Sequence, residues 1–320
     1  MPILLSTYQK PPAYLFNGHL ETIVPSLFRK IEGVEYFREK ITTPDGDFLN
    51  LDWSKIGGEK LLVISHGLEG DSRRHYAMGL AKLFNQNGID VLAWNNRSCG
   101  GEMNMKPILY HHGSSYDLET VIQHVVNQFH YKEIFLAGIS MGGAQTLKYL
   151  GEKGSNLAGQ ITKAAVYSTP CNLASSAATL KSPSNLFYKN RFLGKLKKKM
   201  GAKAVQFPDM VDLDLLRKVK DFDAFDTKFT ARIHGFKDAA DFYKSVSADN
   251  WMQDIAIPTL IINALNDPLL GPECYPTKLA ESKSEIFLEM PKRGGHTGFV
   301  VKNLEFTWAE FRFLNFLTEQ

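Results

Sequence analysis

Cysteine is scarce in this chain: Cys99, Cys171 and Cys274 are the only three among 320 residues. They are odd in number, far apart and without C-x-x-C spacing, which argues against a disulfide framework or a cysteine-built zinc site and fits a reducing cytosol. Long hydrophobic runs are missing as well. No stretch approaches the roughly 20 apolar residues of a membrane span, and the N-terminal MPILLSTYQKPPAYLF lacks a basic leader and is interrupted by prolines. Neither sign of charge is in excess. With 37 basic against 34 acidic side chains the formal net charge is +3, too little to call for nucleic acid or an anionic membrane as an obligate partner. No internal repeat or low-complexity tract is present.

What is present is apolar residue, 44% of the chain, enough for one large core with an inserted subdomain. Residues 1–35 mix proline and aromatics without a sustained period and read as an arm laid over the surface, with no chemistry of its own. In REKITTPDGDFLNLDWSK, Asp45 and Gly46 sit between two strand-like runs, the signal of a hairpin at a sheet edge. Thereafter short apolar runs at 61–65, 90–94, 133–137, 164–167, 259–264 and 285–289 alternate with helix-period segments, which predicts βαβ units and a mostly parallel sheet flanked by helices. YDLETVIQHVVNQF is the clearest of those helices, with Ser114 and Asp117 spaced as its capping box. The aromatic-rich EFTWAEFRFLNFL reads as a helix covering the sheet. Between 171 and 253 the rhythm breaks into Ser-rich, Lys-rich and amphipathic pieces, the mark of an inserted cap. The core is then 36–170 with 254–320. The Lys195 to Lys199 run in the cap reads as a solvated helix face, with phospholipid head groups as the alternative contact.

The chemistry centres on Gly138-Ile139-Ser140-Met141-Gly142, flanked by a buried strand and a helix. That setting is a nucleophile elbow: the sharp turn projects the serine hydroxyl from the sheet edge, and the helix N-terminus faces developing negative charge. A serine hydroxyl is a poor nucleophile at neutral pH, so it needs a base, and with such elbows the chain order is serine, acid, histidine. Of the two histidines after Ser140, His234 lies in the cap, whereas His296 lies in the glycine-rich PKRGGHTGFV after the last strand and is the candidate base. Asp267 directly follows the penultimate strand and is the candidate acid. Asp254 stands at that strand's wrong end, and Glu273 is the reserve. The oxyanion donors are expected to be the backbone N–H groups of Met141 and of Leu68, the latter in the HGLEG turn after the first core strand. His66 is read as shaping that turn rather than as a base. His111 and His112 are read as neighbours on a strand, facing opposite ways with no acid or cysteine to complete a metal set, so no metal and no cofactor is expected. Cys99 is read as buried and structural.

With these residues assembled, the whole chain resembles the YheT-like branch of the α/β-hydrolases, related to the lipid-active ABHD esterases. The likeness runs through NGHLETIVPSLFR, HGLEG, NNRSCGGE, YHHGSSYDL, GISMGG, FDAFDTKFTARIHGF, NALNDP and GGHTGF. It departs at Ser98, where glycine is usual, and at His112, where a serine follows the tyrosine-histidine pair; both bear on loop shape near the pocket. The resemblance implies a triad at Ser140, Asp267 and His296 and carboxylic esters, small or lipid-like, as substrates. Phe187, Tyr188, Phe192 and Phe207 of the cap are candidates for lining an acyl pocket. An amidase or peptidase, an acyltransferase on the same triad, and a non-catalytic scaffold remain open alternatives.

Overall fold

The computed structural model describes residues 3–319. Nine strands form one sheet: β1 (Ile3–Leu4), β2 (Phe37–Thr42), β3 (Phe48–Ser54), β4 (Lys60–Ser65), β5 (Asp90–Asn95), β6 (Glu133–Ile139), β7 (Ile161–Tyr167), β8 (Thr259–Ile262) and β9 (Ile286–Glu289). Their spatial order is β1-β9-β8-β7-β6-β4-β5-β3-β2. The pairs β2 with β3 and β3 with β5 are antiparallel, and every other pair is parallel. The hairpin expected at Asp45-Gly46 is therefore the sheet's antiparallel edge. Gly46 carries φ 76° there, a conformation glycine adopts without a steric penalty.

The helices are α1 (Gly18–Phe28), α2 (His75–Gln86), α3 (Ser115–Gln128), α4 (Met141–Lys153), α5 (Leu173–Leu180), α6 (Leu186–Gln206), α7 (Leu213–Lys218), α8 (Phe222–Phe225), α9 (Ala231–His234), α10 (Ala239–Val246), α11 (Thr277–Ser282) and α12 (Trp308–Thr318). Successive side chains of a strand face opposite sides of the sheet, so a strand buried on both faces reads as an unbroken apolar run. In β4, Leu61 and Val63 join the core under α3 and α4, while Leu62 and Ile64 join the core under α2 and α12. Leu118, Val121, Ile122 and Val125 of α3 are fully buried. The capping box does not form: Ser114 Oγ accepts the His111 N–H instead, and Asp117 pairs with buried Arg97.

Helices α5 to α10 lie between β7 and β8 and carry two small cores of their own. One gathers Leu193, Met200, Val211, Leu216, Phe225 and Phe229; the other gathers Leu173, Ala177, Ala231, Phe242 and Val246. The lysine run on α6 is less solvated than expected. Lys197 donates to the carbonyls of Arg217 and Val219, and Lys199 pairs with Glu69.

Residues before β2 depart from the expected surface arm. Ile3–Leu4 adds a parallel strand beside β9, and α1 is capped by Asn17, whose side chain accepts the Leu20 N–H. Glu21 of α1 is only 1% exposed, and its partners lie at the far end of the sequence. Among the described residues no helix is long and apolar enough to cross a membrane.

Candidate active site

Parallel α/β sheets place their sites beyond the carboxyl ends of the strands, and three loops meet there. Ser140 follows the last residue of β6 and caps α4 with φ 55° and ψ −120°, a strained backbone for a residue with a side chain. The turn is held from both sides: the Ser140 N–H donates to the Tyr167 carbonyl at 3.0 Å, and its own carbonyl accepts the Gly143 N–H at 2.9 Å. A side chain at Gly142 would stand 2.1 Å from the Ser65 carbonyl oxygen, so only glycine lets α4 begin so close to β4.

His296 Nε2 lies 2.8 Å from Ser140 Oγ, and His296 Nδ1 lies 2.8 Å from Asp267 Oδ2. An ionised carboxylate only accepts hydrogen bonds, so Nδ1 carries the ring hydrogen and Nε2 is free to accept the Ser140 hydroxyl. Asp267 is itself oriented, because its Oδ1 accepts the Leu269 N–H at 2.8 Å. Asp267 and His296 are 6% and 8% exposed. The reserve acid, Glu273, is engaged by Ser175 in an exposed contact instead.

The loop bearing His296 is clasped by α1, which sequence reasoning missed. The His296 N–H donates to Thr22 Oγ1 at 2.8 Å, the Gly294 N–H donates to Glu21, and Arg293 Nε donates to Glu21 at 2.6 Å. Asn266, next to the acid, joins the same clasp: its amide nitrogen donates to Glu21 and its oxygen accepts the Gly295 N–H. Pro25 has no N–H for the Glu21 carbonyl one turn earlier. Gly298 fills that side so closely that a side chain there would stand 2.2 Å from the Glu21 oxygen. A glutamate amid apolar residues in GHLETIVPSLF was the available signal, since a carboxylate is buried only when paired.

The turn after β4 is built around one unused donor. Tyr76 OH accepts the Gly67 N–H at 3.0 Å and Tyr110 OH accepts the Glu69 N–H at 2.9 Å. The Leu68 N–H between them meets no acceptor among the described residues, and Met141 is the first residue of α4, whose N–H is not used within the helix. Gly67 packs against Ser140, with the serine Cβ 3.2 Å from where a side chain would start. His66 is locked behind the turn: its Nε2 accepts the Asn96 N–H at 3.1 Å, and burial depresses its pKa to about 4.

Two cavities open on Ser140 and His296. The first runs under α5, α6 and α10 and is walled by Leu173, Ala177, Leu180, Phe192, Leu196 and Phe242, with Asp226, Thr230 and Tyr243 at one side. Asp226 begins a π-helical turn, Asp226–Thr230, and accepts from Thr230 Oγ1 at 2.7 Å and Tyr243 OH at 2.8 Å. Burial pushes its carboxyl up to about 6. The second cavity lies on the other side, between α1, α6 and the Leu68 turn, and contains Phe187, Tyr188 and Phe192. Of the four aromatics expected to line an acyl pocket, only Phe192 reaches the first cavity, Phe187 and Tyr188 line the second alone, and Phe207 lines neither. It follows the last residue of α6, some 30 Å along the helix from Phe187, where Lys203 lies over its ring.

His111 and His112 lie in a loop, not on a strand. His111 accepts the Gly113 N–H through Nδ1 and its ring meets His234 edge-on at 4.5 Å; burial holds both rings well below the ordinary histidine range. Cys99 is partly exposed rather than buried, 3.3 Å from Lys199 Nζ.

Residues 58–285 match the family described as Serine aminopeptidase, S33. Over 310 residues the chain is 31% identical to YheT of Escherichia coli (strain K12), described as a candidate esterase, covering 94% of this chain and 90% of that protein. It is 28% identical over 309 residues to the human phospholipase ABHD3, covering 93% of this chain and 75% of that protein. Among solved structures, the Pyrococcus furiosus esterase Pf2001 superimposes with a TM-score of 0.55 at 19% identity, covering 84% of this chain and 88% of that one. The α/β-hydrolase GrgF of Penicillium sp. sh18 gives 0.56 at 18% identity, covering 88% and 97%. These two likenesses speak to the fold.

Proposed function

This chain belongs to the Serine aminopeptidase, S33 family, within its YheT-like branch of α/β-hydrolases, and from that premise we propose that it hydrolyses carboxylic esters through Ser140, His296 and Asp267. The observation that carries the reading is the unbroken chain of contacts from Ser140 Oγ through the imidazole to Asp267, with 2.8 Å at each link. Ser140 Oγ attacks the ester carbonyl carbon while His296 Nε2 accepts its proton. Asp267 holds the tautomer and stabilises the imidazolium. The carbonyl oxygen, now an anion, takes the N–H groups of Leu68 and Met141, the first left unused by its neighbours' hydrogen bonds. The tetrahedral species then expels the alcohol, which leaves with the proton from His296. Water, deprotonated by the same imidazole, attacks the acyl-enzyme and releases the acid. Helices α5 to α10 act as the cap, and the first cavity receives the acyl chain. The reaction draws on side chains and backbone alone, and the free thiols of Cys99, Cys171 and Cys274 suit a reducing cytosol.

Covalent labelling by a fluorophosphonate, followed by intact mass, tests this without knowledge of the natural ester. One adduct is expected, absent in Ser140→Ala and much slower in His296→Ala. No adduct under conditions that label another serine hydrolase would sink the reading and leave a scaffold. The family's own description favours a second substrate class, peptide-like amides. Esters and amides of one acyl group, compared on the purified protein, separate the two.

A further inference from the structure

The two cavities that meet at Ser140 differ in kind. The first offers aliphatic and aromatic walls, suited to an acyl chain. The second gathers Arg74, Arg191 and Lys195 along the wall that leads out from Ser140 and His296. None of the three makes a salt bridge among the described residues. Arg74 Nη2 donates to Ser26 Oγ at 3.0 Å and Lys195 Nζ to the Glu69 carbonyl at 3.1 Å, while Arg191 has no such partner. Glu69, the one carboxylate on this wall, is already engaged by Lys199 at 2.8 Å and by Tyr110 OH. Lys195 is exposed at the rim while Arg74 and Arg191 are half-buried, and what desolvation it meets, with the neighbouring Arg74 and then Arg191, holds its ammonium below its ordinary range against the opposing pull of Glu69 and Asp71.

Like charges collected at a cavity wall repel one another and lose hydration. Two forked guanidiniums and an ammonium are the donor set that recognises a phosphate or other oxyanion. Since the apolar cavity holds the acyl side, the group that meets these cations belongs to the alcohol side of the ester. We propose that Arg74, Arg191 and Lys195 form an anion subsite, and that the preferred substrates are acyl esters whose alcohol portion carries a phosphate. This rests on the ester reading above for its orientation, but the binding it requires does not depend on turnover.

The test uses the full chain with Ser140→Ala, which binds without cleaving, and two probes with one hexanoyl chain: its ester with glycerol and its ester with glycerol 3-phosphate. Calorimetry is expected to give a dissociation constant at least ten-fold lower for the phosphate ester, an advantage that shrinks as salt rises. In Arg191→Ala with Lys195→Ala the ratio falls toward one; in Arg191→Lys with Lys195→Arg, where charge is kept, most of it returns. Equal constants for the two probes, or a preference that survives the alanine pair, would overturn the proposal. Displacement of the acylated probe by free glycerol 3-phosphate would uphold it for soluble phosphates. Displacement only by vesicles of a phosphate-bearing lipid would uphold it for a head group. If wild type shows this binding yet takes no fluorophosphonate, the ester reading has failed and the anion subsite has not.

Discussion

Thr22 Oγ1 accepts the backbone N–H of His296 at 2.8 Å across 274 positions of sequence, so the first helix of the chain sets where the imidazole stands. The same hydroxyl donates to the Gly18 carbonyl at 2.6 Å, which fixes its direction. Thr22→Val keeps the shape and leaves a buried N–H without an acceptor, at a cost of about 1–3 kcal/mol. Fluorophosphonate labelling of Ser140 is expected to slow about ten-fold in Thr22→Val and to recover in Thr22→Ser. Wild-type labelling by the valine variant would show that Thr22 does not position the loop.

Asp267→Asn replaces an acceptor-only group with one whose amide can donate. The imidazole is then free to present its hydrogen to Ser140, the wrong tautomer for a base. Turnover of a simple ester is expected to fall on the order of 10⁴-fold with the fold intact. Activity near wild type would remove Asp267 from the mechanism.

Leu68 separates backbone from side chain in the oxyanion assignment. Leu68→Ala keeps the N–H, whereas Leu68→Pro deletes it, a loss of about 3 kcal/mol of transition-state stabilisation or on the order of 10²-fold in kcat. Circular dichroism of both variants controls for folding. A proline variant as active as the alanine one would move the oxyanion elsewhere.

Asp226 makes stability depend on pH. Its carboxyl titrates at about 6 in the folded chain against an ordinary 3.8, because burial disfavours the anion. Below 3.8 both states are protonated and nothing is lost. Between 3.8 and 6 only the unfolded chain ionises, so stability falls as pH rises, and above 6 the whole cost, roughly 3 kcal/mol, is present. Asp226→Asn can still accept one of its two hydroxyl contacts and donate in the other. Its unfolding midpoint is expected to exceed wild type by a few degrees at pH 8 and to match it at pH 4. Equal midpoints at both pH values would mean that Asp226 ionises freely in the folded protein.

The parts of this molecule legible in the sequence are those fixed by neighbours along the chain. Strand β4 announces itself because residues 61–64 are all apolar between turn signals, the run that a strand buried on both faces gives. Ser140 and its flanking glycines show because the strained turn leaves no room for a side chain at 138 or 142. Loop position sufficed to single out His296 and Asp267. The α1 clasp was not legible, since Glu21 and Arg293 meet across 272 positions and no periodicity records such a pairing. Nor were the directions of side chains on α6: a 21-residue helix sweeps past the site and beyond it, so Phe192 reaches both cavities and Phe207 neither. Ser114 misled because its hydroxyl found the His111 N–H before the helix's own.

The α1 clasp also orders events during synthesis. Residues 21 and 22 leave the ribosome before their partners at 293–296, which follow some 270 residues later. At about 5–20 residues per second that interval is roughly 15–55 s. Ser140 is made within that interval, 156 positions ahead of the imidazole it meets. The loop that carries His296 is what closes on α1, so the contact between the serine and the imidazole forms only after synthesis has passed β9.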